Sequence, residues 1–193
     1  RPVRAPGMHN SPPTWSLENV VDGQSGLGLP VSSERSPTNG YSSEFSDEQD
    51  TIKWVQIDLG QVLPIDDIRL IPGQPVDWAD RQGFGCPIRC KLELSLEPRF
   101  QDGWVAADHT IEDYPNPGDN AVIVPTHGRG ARYLRVTATR LFAKKTPGTP
   151  DSCVLALAEL QVYSGGRNVA LGAEVQSLDS FHFEPRPLWE REF

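Results

Sequence analysis

The chain has 193 residues, enough to bury the core of one ordinary domain with some length to spare. Its 18 Pro and 17 Gly, beside a hydrophobic fraction of 37%, fit short strands and turns better than long helices. A formal net charge of -8 argues against a nucleic-acid partner, which needs a basic face, and no apolar run approaches the roughly 20 residues that span a bilayer.

The chain starts at Arg1 with no charged-then-apolar leader, and is expected to be a piece of a longer protein. Residues 1–18 are Pro-rich and irregular, ending in Pro12-Pro13-Thr14-Trp15-Ser16-Leu17-Glu18. Asn19-Val20-Val21-Asp22-Gly23 is a short apolar step into a tight turn. From residue 24 to 50 the composition is Ser, Gly, Pro, Asn and Glu, with Tyr41 and Phe45 as isolated aromatics. Loops of that length without regular structure are usually functional or mobile. Trp54-Val55-Gln56-Ile57-Asp58-Leu59-Gly60 then alternates with a period near two, which predicts a strand with one buried face and Trp54 in the core. Gly60 and Pro64 predict a turn into a second strand over 65–71.

Residues 72–87 form another long loop, carrying Trp78, Arg81 and Phe84 among glycines and acids. In the next strand Cys90, Leu92, Leu94 and Leu96 share one face and Lys91, Glu93 and Ser95 the other. Asp102-Gly103 predicts a hairpin-type turn into Trp104-Val105-Ala106, with Trp104 in the core. Further strands are predicted over 121–124, 133–138 and 154–163, with a solvated connection over 142–152. At the end, residues 167–175 resemble a strand, and Trp189 with Glu192 echoes the spacing of Trp15 with Glu18. The domain reading is one module over 1–165 and an extension over 166–193, which either completes the sheet or opens a second tandem copy. An odd number of cysteines (Cys86, Cys90, Cys153) leaves at least one thiol unpaired within the chain. Two readings stay open for them: a bridge from Cys86 or Cys90 to Cys153, or three small buried hydrophobes.

Seven ordered pieces together resemble the discoidin family, also called the coagulation factor 5/8 C-terminal domain, which includes galactose-binding-like carbohydrate-binding modules of bacterial hydrolases. They are Glu18-Asn19-Val20-Val21-Asp22-Gly23, Trp54-Val55-Gln56-Ile57-Asp58-Leu59-Gly60 and Ile65-Asp66-Asp67-Ile68-Arg69-Leu70, then Leu92-Glu93-Leu94-Ser95 and Asp102-Gly103-Trp104. Ala131-Arg132-Tyr133-Leu134-Arg135-Val136 and Ala156-Leu157-Ala158-Glu159-Leu160-Gln161-Val162-Tyr163 complete the set. Asn168-Val169-Ala170-Leu171-Gly172 looks like the opening strand of such a module. The resemblance implies an all-β fold, an antiparallel jelly-roll β-sandwich of about eight core strands with ligand-binding loops at one end. Those loops would be residues 5–17, 25–50 and 72–87. Their candidates for carbohydrate binding are Trp78, Arg81, Phe84, Trp15, Tyr41 and His9. Sugars need this mixture because an aromatic ring stacks on the C–H face of a pyranose while polar side chains bond its hydroxyls. Each candidate has a structural alternative: Trp78, Phe84 and Trp15 as packing anchors, Arg81 as an ion-pair partner of Asp77 or Asp80.

The resemblance also implies a structural calcium ion near the Asp-Gly turn, where Asp22 and Glu159 match the family's ligands. Gln24-Ser25-Gly26 departs from the acidic residue and Thr usual after that turn. The alternative is that Asp22 caps the turn and Glu159 pairs with an Arg. Catalysis needs converging titratable groups, but His9, His109, His127 and His182 are scattered, and no Gly-x-Ser-x-Gly elbow occurs. The expectation is therefore a non-catalytic glycan-binding module of a secreted, periplasmic or cell-surface bacterial protein, with polysaccharide and other domains of its own chain as partners. A structural spacer or protein-docking domain is the alternative. Membrane lipid ranks last, because the loops carry Glu34, Glu44, Asp47, Glu48, Asp77 and Asp80 rather than basic residues around apolar tips.

Overall fold

A computed structural model describes residues 14–25, 38–73, 75, 82–145 and 151–179. After a 3-10 turn at Glu18–Val21 come β1 (Tyr41–Ser42), β2 (Lys53–Pro72), β3 (Arg89–Ser95), β4 (Trp104–Asp108) and β5 (Val122–Arg140). Then follow β6 (Phe142–Lys144), β7 (Ser152–Val154), β8 (Ala156–Ser164), β9 (Arg167–Asn168) and β10 (Glu174–Ser177). All the strand pairings are antiparallel. Among the described residues eight strands make one sheet, and β6 and β7 make a small second one.

The architecture turns on β2 and β5, which pair along their whole lengths but change neighbours halfway. Over 53–58, β2 lies between β10 and the second half of β5, which β3 and β4 extend. Over 67–72 it lies between β8 and the first half of β5, with β1 and β9 beside β8. Two irregularities allow the change. Residues 59–62 stand opposite Arg132 alone, and residues 126–128 stand opposite Asp66 alone. Gly60, His127 and Gly128 take φ values of 77°, 57° and 76° there, the left-handed conformation that re-aims a bulged strand. The alternation shifts accordingly, from Val55 and Ile57 inward before the bulges to Ile68 and Leu70 inward after them. The pairs of strands predicted over 54–60 and 65–71, and over 121–124 and 133–138, are therefore single long strands bent at bulges.

Both halves close on one cluster, with Val55, Ile57, Leu92, Leu94, Leu134 and Val136 from the first layer and Ile65, Ile68, Leu70, Leu160 and Val162 from the second. This is an all-β antiparallel sandwich. Each such side chain, fully buried, contributes on the order of 1.5–3 kcal/mol. Leu96 falls just beyond β3 and is 51% exposed, so it leaves the face it was expected to share. Trp54 departs too. Its neighbours Lys53 and Val55 are buried, while Trp54 is half-buried on the outer face beneath the Arg135 guanidinium, 5.2 Å from its ring. Trp104 is half-buried against the core edge with Arg129 over it at 4.4 Å. The three cysteines are free and buried, and desolvation pushes the Cys86 and Cys90 thiols up to about 12, so they pack as hydrophobes.

The segment after residue 165 adds strands rather than leaving the sheet. The Gly165-Gly166 hairpin returns β9 along β8, and β10 pairs β2 from Glu174↔Asp58 to Ser177↔Val55. A ladder of hydrogen bonds thus joins the described part of the extension to the sheet. Asp179 anchors it through the buried Lys53 ammonium and through the Tyr41 hydroxyl, which donates to its carbonyl at 2.7 Å.

Candidate functional site

Three of the predicted carbohydrate contacts belong to the core. Trp15, Tyr41 and Phe84 are 3%, 1% and 1% exposed. The Phe84 ring lies 5.9 Å from Trp15 and 5.4 Å from Phe142 in tilted pairs, filling a small cluster with Val154 and Ala156. Phe84 is driven inward because Gly85 lies so close to β8 that an added Cβ would stand 2.3 Å from the Ala156 side chain. Neither Trp15 nor Phe84 offers a face to a sugar, and Tyr41 spends its hydroxyl on Asp179. Trp78, Arg81 and His9 lie outside the described residues.

Asp22 and Glu159 do come together. Glu159, in β8, is fully buried, and its Oε1 accepts the backbone N–H groups of Gly23 at 2.7 Å and Gln24 at 3.1 Å. Asp22 accepts the Gln24 N–H at 2.8 Å and the Thr38 hydroxyl at 3.2 Å. Glu159 Oε2 is buried with no hydrogen-bond partner. Burial first, and then the neighbouring Asp22 carboxylate, push the Glu159 carboxyl up to about 8. No Arg pairs with Glu159 among the described residues. A buried carboxylate oxygen without a donor, facing a second carboxylate, needs a proton or a cation. The residues present fit calcium, which takes oxygen ligands only and draws on backbone carbonyls as well as carboxylates. Among the described residues no third acidic, His or Cys side chain joins the pair, so carbonyls or water would complete such a set.

At the rim where the loops before β2 and after residue 82 meet, a pocket of about 490 Å³ opens. That volume lies within the range usual for small-ligand sites, roughly 300–1,000 Å³. Its walls are stitched by the backbone. Leu141 N–H donates to Gln49 at 2.7 Å, Ile88 N–H to Arg140 at 2.9 Å, and Tyr114 N–H to Ile88 at 2.7 Å. The Gln49 amide returns a bond to the Leu141 carbonyl at 3.0 Å. These bonds fix the pocket's shape before any ligand arrives. Arg140, at the end of β5, bonds Asp113 at 3.2 Å and Gln49 Oε1 at 3.4 Å, while its Nε is buried without a partner among the described residues. Asp113 is shared with Arg89 at 2.6 Å, and these two guanidinium groups, Arg89 first, hold its carboxyl below the usual carboxylate range. Tyr114 is half-buried, its ring 4.8 Å from that of His109. Tyr114, Phe142, Arg140, Asn116 and Asp151 thus give the pocket an aromatic wall among amide, guanidinium and carboxylate groups. Gln49 lies in a loop already singled out, but Tyr114 and Arg140 were missed. Their only sequence signal is an aromatic in the Pro/Asn/Gly stretch over 114–120 and an Arg closing a strand.

No protein-family model matches the sequence, and no curated protein matches it. Solved structures to which the chain is similar include carbohydrate-binding modules and a lectin domain. One is the C-terminal domain of a chitobiase from Bacteroides fragilis, 20% identical, covering 61% of this chain and 66% of that one with a TM-score of 0.40. Another is chitosan-binding module 1 of a chitosanase/glucanase from Paenibacillus sp. IK-5, 19% identical over 62% and 74% of the two chains, also at 0.40. A third is the lectin domain of lectinolysin complexed with Lewis B antigen, 20% identical over 61% and 68%, again at 0.40. The match thus spans just under two thirds of the chitobiase domain's length. At that overlap none of them carries an argument about this chain, and its fold rests on its own strand register.

Proposed function

We propose that the chain is a non-catalytic glycan-binding module of a longer secreted, periplasmic or cell-surface protein, with the pocket beside Tyr114 as its primary sugar site. The observation that carries this reading is the Tyr114 wall of a backbone-fixed pocket, beside the Arg140 guanidinium. A pyranose stacks on the ring through its C–H face and turns its hydroxyls to the guanidinium and the Asn116 and Asp151 side chains. Asp113, held ionised by Arg89 and Arg140, suits an acceptor and not a proton donor, which favours binding over hydrolysis. Trp78 and Arg81, a short way before Cys86 in the same loop by sequence, and His9 in the N-terminal stretch remain proposed contributors. Glycan and neighbouring domains of the same chain are the partners.

Calcium belongs to the same reading. Asp22 and Glu159 would hold it, and bound there it neutralises two facing carboxylates. Glu159 meanwhile ties the turn at Gly23 to β8 through its own hydrogen bonds.

The test is a glycan array followed by calorimetry with the best oligosaccharide. Tyr114→Ala is expected to weaken binding by at least tenfold while the thermal midpoint stays within a few degrees. Unchanged affinity in that variant, or no glycan bound by the native chain, contradicts the proposal.

A further inference from the structure

Tyr114 is fixed at its backbone, and that alone does not set the direction of its ring. Its N–H donates to the Ile88 carbonyl at 2.7 Å, and Pro115 after it confines the backbone to extended conformations. Rotation about χ1 is untouched by either constraint. Among the described residues the Tyr114 hydroxyl makes no hydrogen bond, and no guanidinium stands over the ring. The ring packed on it is that of His109, with centroids 4.8 Å apart and planes tilted by 58°. That separation lies where aromatic pairs attract. Tyr114 lines the pocket and His109 does not, so the imidazole meets the ring from outside the site.

Local chemistry builds this pair. β4 ends at Asp108, whose carboxylate accepts the Thr110 N–H at 2.9 Å and the Thr110 hydroxyl at 2.6 Å. This Asx turn folds the chain back just after His109. The His109 N–H donates to the Cys90 carbonyl at 2.8 Å, so residues 109 and 114 are stapled to the same stretch of chain, at Cys90 and Ile88. Arg89, between those two, holds Asp113 at 2.6 Å. Ile111, at the tip of the arch, is 84% exposed, so the arch takes its shape from these end bonds and not from packing.

A pyranose stacks only on a ring face that is turned toward it, and a side chain free to swing must be ordered at the moment of binding, which weakens affinity. We propose that His109 is the positioning residue of the rim site, its imidazole bracing the Tyr114 ring so that the ring is set before the sugar arrives. The role rests on the reading of the Tyr114 pocket as the sugar site. It acts through Tyr114 and needs no contact between imidazole and sugar.

The test joins a titration to a ring readout, both on the full chain. With galactose, glucose, N-acetylglucosamine and the oligosaccharide that an array ranks first, His109→Ala should raise the dissociation constant roughly threefold to tenfold. His109→Phe keeps a ring there and should return it to within about twofold of the native value. Placed on Tyr114→Ala, His109→Ala should add no further loss, because the brace has nothing left to hold. In the absence of sugar, NMR side-chain couplings should show one χ1 rotamer of Tyr114 in the native chain and in His109→Phe, and averaging in His109→Ala. A loss that His109→Phe fails to recover, or that persists on Tyr114→Ala, overturns the role, as does a Tyr114 rotamer that stays single in His109→Ala. Binding that Tyr114→Ala weakens and His109→Ala does not overturns this role alone. No sugar bound by the native chain, or binding that Tyr114→Ala leaves unchanged, overturns the pocket reading and this role with it.

Discussion

Glu159 is the residue on which the chemistry of the Asp-Gly turn depends. Its folded-state carboxyl is raised to about 8 from an ordinary 4.5, so the native chain binds its proton more tightly than the unfolded chain does. The associated stability is fully present below the ordinary value and is lost as pH rises toward about 8. In chelator, the thermal midpoint should therefore fall by several degrees, about 5 °C or more, between pH 5 and pH 8.5. Calcium holds the carboxylate ionised, so its stabilisation should grow over the same interval and remove most of that fall. Glu159→Gln should flatten the profile and abolish the calcium effect, as read by differential scanning fluorimetry. A midpoint at pH 8.5 that calcium leaves unmoved in the native chain would contradict the calcium proposal. The residues at this turn were legible because the resemblance to the discoidin family implied that Asp22 and Glu159 share a site. The loop aromatics were not. A Trp among prolines and a Phe between glycines read as exposed, but exposure depends on what packs opposite. For Phe84 that is Trp15 and Phe142, both distant in sequence. The flanking glycines were the available signal, since Gly85 permits the close approach to β8 that turns Phe84 inward.

Among the elements, β10 shows how a strand that sequence could not assign takes its place. Residues 174–177 alternate only weakly, Glu-Val-Gln-Ser, so periodicity left open whether they joined this sheet or began another. What places them is non-local, the register with 55–58 of β2 and the pairing of Asp179 with a buried Lys53. Asp179→Ala strands that ammonium without a counter-charge and should destabilise the chain by about 3 kcal/mol in urea unfolding. Adding Lys53→Met removes the stranded charge, and the double variant should recover most of the loss. If the double variant is as unstable as Asp179→Ala alone, the ion pair is not what anchors this segment. The strands of β3 and β8 were legible because inward Leu and Val residues alternate with polar ones in β3 and fill a doubly covered β8. The bend of β2 was misread as a turn, and β5 was read as two separate strands. Gly60 and Pro64 carry the same letters in a bulge as in a turn, and only the continued pairing of 63–65 with 129–131 tells them apart.

For the whole molecule, a two-layer β framework carries a rigid aromatic-walled pocket at its rim. The net charge of -8 keeps anionic surfaces away without opposing an uncharged ligand. Under the proposed function the rim pocket is what would hold a neutral or mixed polysaccharide. The most direct test of the account is a crystal structure with the best array oligosaccharide bound. The account predicts a sugar ring stacked on Tyr114, with hydroxyls within hydrogen-bond distance of the Arg140 guanidinium and Asn116. An oligosaccharide seated elsewhere with that pocket filled by water alone would contradict it.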